Sequence, residues 1–158
     1  MYKTGIGFDV HPFSKGRKLI IGGVNIDYEF GLLGHSDADV LIHAVIDALA
    51  GVCLGKDIGA LFPDDDQSFR DADSLGLLLK TAGLVRQAGY EVYNIDSVII
   101  AQLPKFAPHI PTMKENIAKT LGVGVDCVSV KATTTEYLGF TGRKEGIAAL
   151  ATALVAKK

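Results

Sequence analysis

Asp9 and His11 stand two residues apart in a run that reads as a strand, so carboxylate and imidazole leave the same face. The pair suits zinc ligation, and it also suits a surface pair at a strand end. Ser36, Asp39, His43 and Asp47 follow at spacings of three and four, which puts them on one stripe of a helix. Solvated helix faces ordinarily carry Lys, Arg and Glu, yet none occurs from residue 30 to residue 55. The stripe is therefore committed to an internal task, and metal ligation is the task its residue types serve best. Two histidines and one carboxylate leave a fourth position open on zinc, the arrangement of a catalytic site. His35 and Ser36, at the helix start, add backbone N–H groups suited to an anion.

Two further segments carry chemistry. Residues 131–136 (KATTTE) are followed by 139–143 (GFTGR). Thr133, Thr134 and Thr135 offer hydroxyl and N–H donors, Glu136 suits a hard cation, and Arg143 can hold a phosphate bidentately. Threonines are also good strand residues, so a phosphate–Mg²⁺ site and a plain Thr-rich strand both remain open here. The segment Ala101, Gln102, Leu103, Pro104, Lys105, Phe106 and Ala107 reads as a connecting loop able to hold a base and a phosphate. Neither a Walker A loop nor a glycine fingerprint after a strand is present.

Positioning these groups requires an α/β domain. Strands are expected at 2–10, at 18–26 with a turn at Gly22 and Gly23, at 93–102 and at 128–133. Helices are expected at 36–52, capped by Ser36 or Asp37, at 74–88 and at 111–121. Residues 56–73 read as a loop. The last segment, 146–158, fits a helix by propensity and a strand by alternation. The 158 residues suit one domain, 1–158. The net charge of −2 disfavours nucleic-acid partners. Cys53 and Cys127 read as reduced, packed thiols, and residues 1–7 show no signal peptide. No run approaches a membrane span, so a cytoplasmic protein is expected. Eighteen glycines are more than average composition supplies, and the motif positions of several point to backbone approaching phosphate or neighbouring subunits.

Taken in order, 7–11 (GFDVH), 34–40 (GHSDADV) with His43, 57–59 (DIG), 61–64 (LFPD), 131–136 and 139–143 closely resemble the 2-C-methyl-D-erythritol 2,4-cyclodiphosphate synthase family. The resemblance implies a lyase of non-mevalonate isoprenoid biosynthesis that releases CMP from 4-diphosphocytidyl-2-C-methyl-D-erythritol 2-phosphate. It implies zinc on Asp9, His11 and His43, and Mg²⁺ or Mn²⁺ on Glu136. His35 and Thr134 match transition-state-stabilising positions. Asp9, His11, His35 and Ser36 match substrate-binding positions, and Asp57, Ile58, Gly59, Phe62, Pro63, Asp64, Asp65 and Asp66 match those that hold the methylerythritol phosphate. Residues 101–107 and 133–136 match the cytidine and diphosphate pocket, with Phe106 where relatives often carry a smaller apolar side chain. Phe140 and Arg143 match positions near a threefold axis whose cavity takes an isoprenoid diphosphate in related enzymes. The implied fold is α+β, a mixed four-stranded sheet with helices on one face. Three copies would set their sheets around that axis, with active sites between subunits, and 146–156 would be a strand. Another metal-dependent phosphohydrolase is the enzymatic rival, and a trimeric binding module without turnover the non-enzymatic one.

Overall fold

Residues at alternate positions of the C-terminal segment decide the architecture. Ile147, Ala149, Ala151, Ala153 and Val155 are all buried, which is the two-residue period of a strand, and β7 (Gly146–Lys157) takes the centre of the sheet. The structure, a computed structural model, describes residues 1–63, 65–69 and 72–158. On one side β7 pairs antiparallel with β1 (Tyr2–Lys15), and on the other with β5 (Tyr90–Ile100). β6 (Val128–Thr133) lies parallel to β5, and β4 (Phe30–Leu32) pairs with residues 13–15 of β1 at the opposite edge. The sheet thus has five strands in the order β4-β1-β7-β5-β6, not four. β4 has only three residues and shows no alternation by which a sequence pattern would mark it. β2 (Leu19–Ile21) and β3 (Val24–Ile26) form a separate hairpin, turning at Gly22 and Gly23 as expected; both have positive φ.

α1 (Val40–Leu54), α3 (Ser74–Gln87) and α4 (Ile110–Leu121) complete the core. α1 contacts β1, β7 and β5 on one side and α3 on the other, which is why its first seven residues, His43 included, are buried. Its cap is Asp39 rather than Ser36 or Asp37. The Asp39 carboxylate accepts from the amide of Ile42 and, across the fold, from those of Gly22 (2.9 Å) and Gly23 (2.7 Å). Asp39 satisfies three N–H groups at once, whereas the buried Ser36 hydroxyl is engaged by His43 and the Ala38 amide instead. The segment 56–73 is not wholly loop, since it holds the short helix α2 (Ile58–Leu61), capped by Asp57, and a 3₁₀ turn at Gln67–Phe69. α5 (Gly139–Gly142) is a single turn between β6 and β7.

The packing of α1 on β1 fixes the site. Gly5 and Gly7 face the helix. A Cβ at Gly5 would sit 2.1 Å from the Ala48 carbonyl oxygen, and one at Gly7 would sit 2.0 Å from that of Ala44. Four helical residues rise about 6 Å and two strand residues about 6.7 Å, so Ala48 over Gly5 and Ala44 over Gly7 stay nearly in step. These two glycines serve the approach of one backbone to another inside the chain, not the approach of backbone to phosphate. Continuing that register brings the first turn of α1, with His43, over Asp9. β1 also runs five residues past its expected end, so Asp9 and His11 sit within a strand rather than at its terminus.

This contact predicts the effect of one methyl group. Gly7→Ala forces the α1 backbone away and should lower the unfolding free energy of the metal-free protein by about 1–3 kcal/mol. Urea titration checks it; a loss below about 0.5 kcal/mol would mean that α1 is not held so close to β1.

Candidate active site

Asp9, Gly7 and Gly5 share one face of β1, and the first turn of α1 delivers His43 to that face. Asp9 Oδ2 lies 2.9 Å from His11 Nε2 and 3.1 Å from His43 Nδ1, and the two ring nitrogens are 3.2 Å apart. Donors on a tetrahedral metal at about 2.0–2.1 Å stand about 3.3 Å from one another, so this triangle fits a metal ion with little rearrangement. Among the described residues these three form the group able to hold one. Each imidazole also has its second nitrogen engaged. His11 Nδ1 lies 2.9 Å from the Leu33 carbonyl oxygen, to which it donates, leaving Nε2 as the ligating atom. His43 Nε2 lies 3.1 Å from Ser36 Oγ and 3.0 Å from Ser74 Oγ, leaving Nδ1 as its ligating atom.

Electrostatics in the cluster follow from this crowding. Burial pushes the Asp9 carboxyl up, but hydrogen bonds and charge from His11 and His43 prevail and hold it at about 2. Burial lowers His11, and the bond and charge of Asp9 overcome that, so its imidazolium is favoured above the ordinary histidine value. The cluster opens on a cavity of about 230 Å³, with Gly34, His35, Ser36, Ile58, Gly59 and Phe62 in its walls. Among the described residues no Lys or Arg lines the cavity itself; the nearest guanidinium described, Arg17, donates to the Ser36 carbonyl at 2.6 Å, so a bound cation and N–H donors suit a phosphate here. His35 Nε2 is buried with no hydrogen-bond partner, and it offers that open valence to a ligand.

The other members of the helical stripe have structural duties. Asp39 is fully buried as the cap of α1, and Asp47 accepts from the amide of Ile58 at 3.1 Å, which pins the start of α2 beside the cavity. Asp57 caps α2, accepting from the amide of Ala60 at 2.7 Å. Pro63 is half-buried, while Asp65 and Asp66 are exposed; Asp64 lies outside the described residues.

A second cavity, about 360 Å³, is walled by Ala101, Gln102, Leu103, Pro104, Lys105, Phe106 and Ala107 facing Thr133 and Thr134. Tyr137 and Lys144 also line it, and sequence reasoning missed both; a basic residue one place after Arg143 carried no local signal. The Tyr137 amide donates to Gln102 Oε1 at 3.1 Å, tying the exit of β6 to the 101–107 loop. Glu136 has positive φ, and its carboxylate accepts from Thr134 Oγ1 at 3.3 Å. Thr135 instead turns to Thr141 and the Leu138 carbonyl, so it braces α5. Phe140 is half-exposed, and Arg143 forms a fork of two bonds to Glu145, 3.1 and 3.2 Å.

The two cavities share no lining residue. Asp9 pairs with Ala149, Ala149 with Ile99, and Ile99 with Ala132, so the metal cluster and the end of β6 lie in one row across the sheet. They are three strand spacings apart, about 14 Å. Within one chain Glu136 does not join Asp9, His11 and His43.

Residues 2–156 match the YgbB family. The chain belongs to that family. A relative from Geobacillus sp. (strain WCH70), named 2-C-methyl-D-erythritol 2,4-cyclodiphosphate synthase, is 61% identical over 158 residues, all of both chains. The bifunctional IspDF of Campylobacter jejuni superposes with a TM-score of 0.96 at 45% identity; the match covers 100% of this chain and 43% of that longer one. The Plasmodium falciparum IspF–CDP complex gives 0.85 at 32% identity, covering 99% of this chain and 97% of that one. The chain thus shares its full length with a relative named for one reaction and its fold with a structure described as a CDP complex.

Asp39 yields a pH prediction. Burial raises its carboxyl to about 6, opposed by the Gly23, Ile42 and Gly22 amides and reinforced by the charge of Asp37. A carboxyl raised on folding contributes stability that is full below about pH 4 and lost as pH rises through about 6. Unfolding of the metal-free protein across that window should show parent stability falling relative to Asp39→Asn. Parallel pH curves for parent and variant would contradict the assignment.

Proposed function

We propose that this chain converts 4-diphosphocytidyl-2-C-methyl-D-erythritol 2-phosphate to 2-C-methyl-D-erythritol 2,4-cyclodiphosphate and CMP, a step of isoprenoid precursor synthesis. The observation that carries this is the Asp9, His11 and His43 triangle opening on a cavity beside the unpartnered His35 Nε2, in a chain of the YgbB family. An oxygen of the 2-phosphate attacks the β-phosphorus, the bond from that phosphorus to the oxygen bridging to the α-phosphate breaks, and CMP departs with the electron pair. No water is consumed. The attacking phosphate is already ionised at neutral pH, so positioning and charge neutralisation do the work and no nucleophilic side chain is needed.

When bound, zinc on Asp9, His11 and His43, and Mg²⁺ or Mn²⁺ on Glu136, supply positive charge to the phosphate oxygens. Thr134 supplies a hydroxyl at the nucleotide side, and the unpartnered His35 Nε2 supplies a hydrogen bond on the metal side. Ser36, Asp57, Ile58, Gly59, Phe62 and Pro63, with Asp64, Asp65 and Asp66, hold the methylerythritol phosphate. The 101–107 loop, with Lys105, and residues 133–136 hold the cytidine diphosphate.

A homotrimer accounts for two features that one chain leaves open. The face of β1 turned away from α1 exposes Ile6 (68%), Phe8 (53%) and Val10 (43%), an apolar patch suited to burial against another copy. The 14 Å between the two cavities is spanned if each site combines the metal cavity of one subunit with the nucleotide cavity of its neighbour. At the threefold axis an isoprenoid diphosphate would meet Phe140 and an Arg143 already engaged by Glu145.

The rival phosphohydrolase is separated by its product. Incubation with the cytidylyl substrate should release CMP in step with a cyclic product whose ³¹P spectrum lacks any phosphate monoester resonance. A linear, hydrolysed product would establish the phosphohydrolase instead.

A further inference from the structure

His43 comes to the metal triangle on α1, yet its ring is oriented by groups outside that helix. His43 Nε2 meets Ser74 Oγ at 3.0 Å, and Ser74 is fully buried as the first residue of α3. The Ser74 hydroxyl donates in turn to Asp37 Oδ1, and the Ser74 amide donates to Asp37 Oδ2 at 3.0 Å. Asp37 is itself fixed, since Oδ1 accepts from the Asp39 amide at 3.1 Å and its own amide donates to the Ala72 carbonyl.

We propose that Ser74 and Asp37 are positioning residues for the metal site, acting through the His43 ring; the inference rests on the metal reading given above. Hydrogen-bond polarity fixes the tautomer that ligates. If Nδ1 gives its lone pair to a metal, Nε2 must carry the proton and needs an acceptor. Ser74 can accept because its own proton is committed to a carboxylate that has no proton to return. The chain His43 Nε2–H to Ser74 Oγ, then Ser74 O–H to Asp37, thus selects the tautomer that ligates and raises the basicity of Nδ1. Ser36 Oγ, 3.1 Å from the same nitrogen, accepts from the Ala38 amide and shares the ring N–H through its second lone pair. Facing an N–H, Ser36 cannot donate to the ring, so its hydroxyl proton is free for an anion in the cavity it lines. The same serine opens α3, so the element that ends the 56–73 segment braces the ligand.

Zinc affinity is the test, measured on metal-free protein by competition with a chromophoric chelator. Ser74→Ala should bind zinc about 10–100-fold more weakly than the parent, with the thermal midpoint of the metal-free protein moved by no more than a few degrees. Ser74→Thr, which keeps the hydroxyl, should restore affinity to within about threefold of the parent. Asp37→Asn, with Ser74 intact, should weaken zinc binding in the same direction as Ser74→Ala, which keeps the test decisive if the threonine variant does not fold. Parent-like affinity in Ser74→Ala overturns the inference and leaves the proposed function standing. Equal weakening in the alanine and threonine variants also overturns it, because then the hydroxyl is not the agent. A parent that binds no zinc overturns the metal reading beneath it.

Discussion

The structure depends on a helix backbone resting directly on a strand. Gly5 and Gly7 remove the side chains that would hold α1 off β1, and the near-equality of one helical turn and two strand residues keeps the contact in step. Everything at the metal triangle follows from that spacing. Asp9 lies on the same strand face as the two glycines, and His43 immediately precedes the alanine above Gly7. A side chain at position 7 would separate ligands that now stand about 3 Å apart. The hairpin of β2 and β3 secures the same helix at its N-terminus, through two amides that converge on Asp39.

Charge is divided between the two cavities in a way that suits the proposed phosphoryl transfer. Among the described residues the metal-side cavity is lined by histidines, a carboxylate and an unpartnered ring nitrogen, whereas Lys105 and Lys144 line the cavity proposed to hold the nucleotide. A chain with a net charge of −2 can therefore act on a strongly anionic small molecule without a basic surface. The geometry also explains why hydrolysis is the natural competitor. Similar cations serve both reactions, and only exclusion of water from the attacking position separates them.

Much of this was legible in the residues, for reasons that can be named. The Asp9–His11 spacing and the helical position of His43 each suggest a ligand, and the missing Lys, Arg and Glu around the helix set it inside the fold. Periodicity located α3 and α4 to within a residue or two because their apolar faces meet the core. The C-terminal segment was ambiguous because alanine suits a helix, and its strand conformation comes from β1 and β5 on either side, which local pattern does not encode. β4 was missed because it is short and depends wholly on its partner. Asp39 was read as part of a ligand stripe, whereas its task is set by amides seventeen and sixteen positions away. Ser74 carried no signal, since its meaning lies in a histidine thirty-one residues earlier.

The central claim is that Asp9, His11 and His43, brought together by the seat of α1 on β1, form the metal site of this chain. Anomalous diffraction at the zinc edge, from crystals of the zinc-loaded protein, tests it most directly. The account predicts one strong peak per chain, within bonding distance of Asp9 Oδ2, His11 Nε2 and His43 Nδ1. A principal peak elsewhere, or ligation of His43 through Nε2, would contradict it.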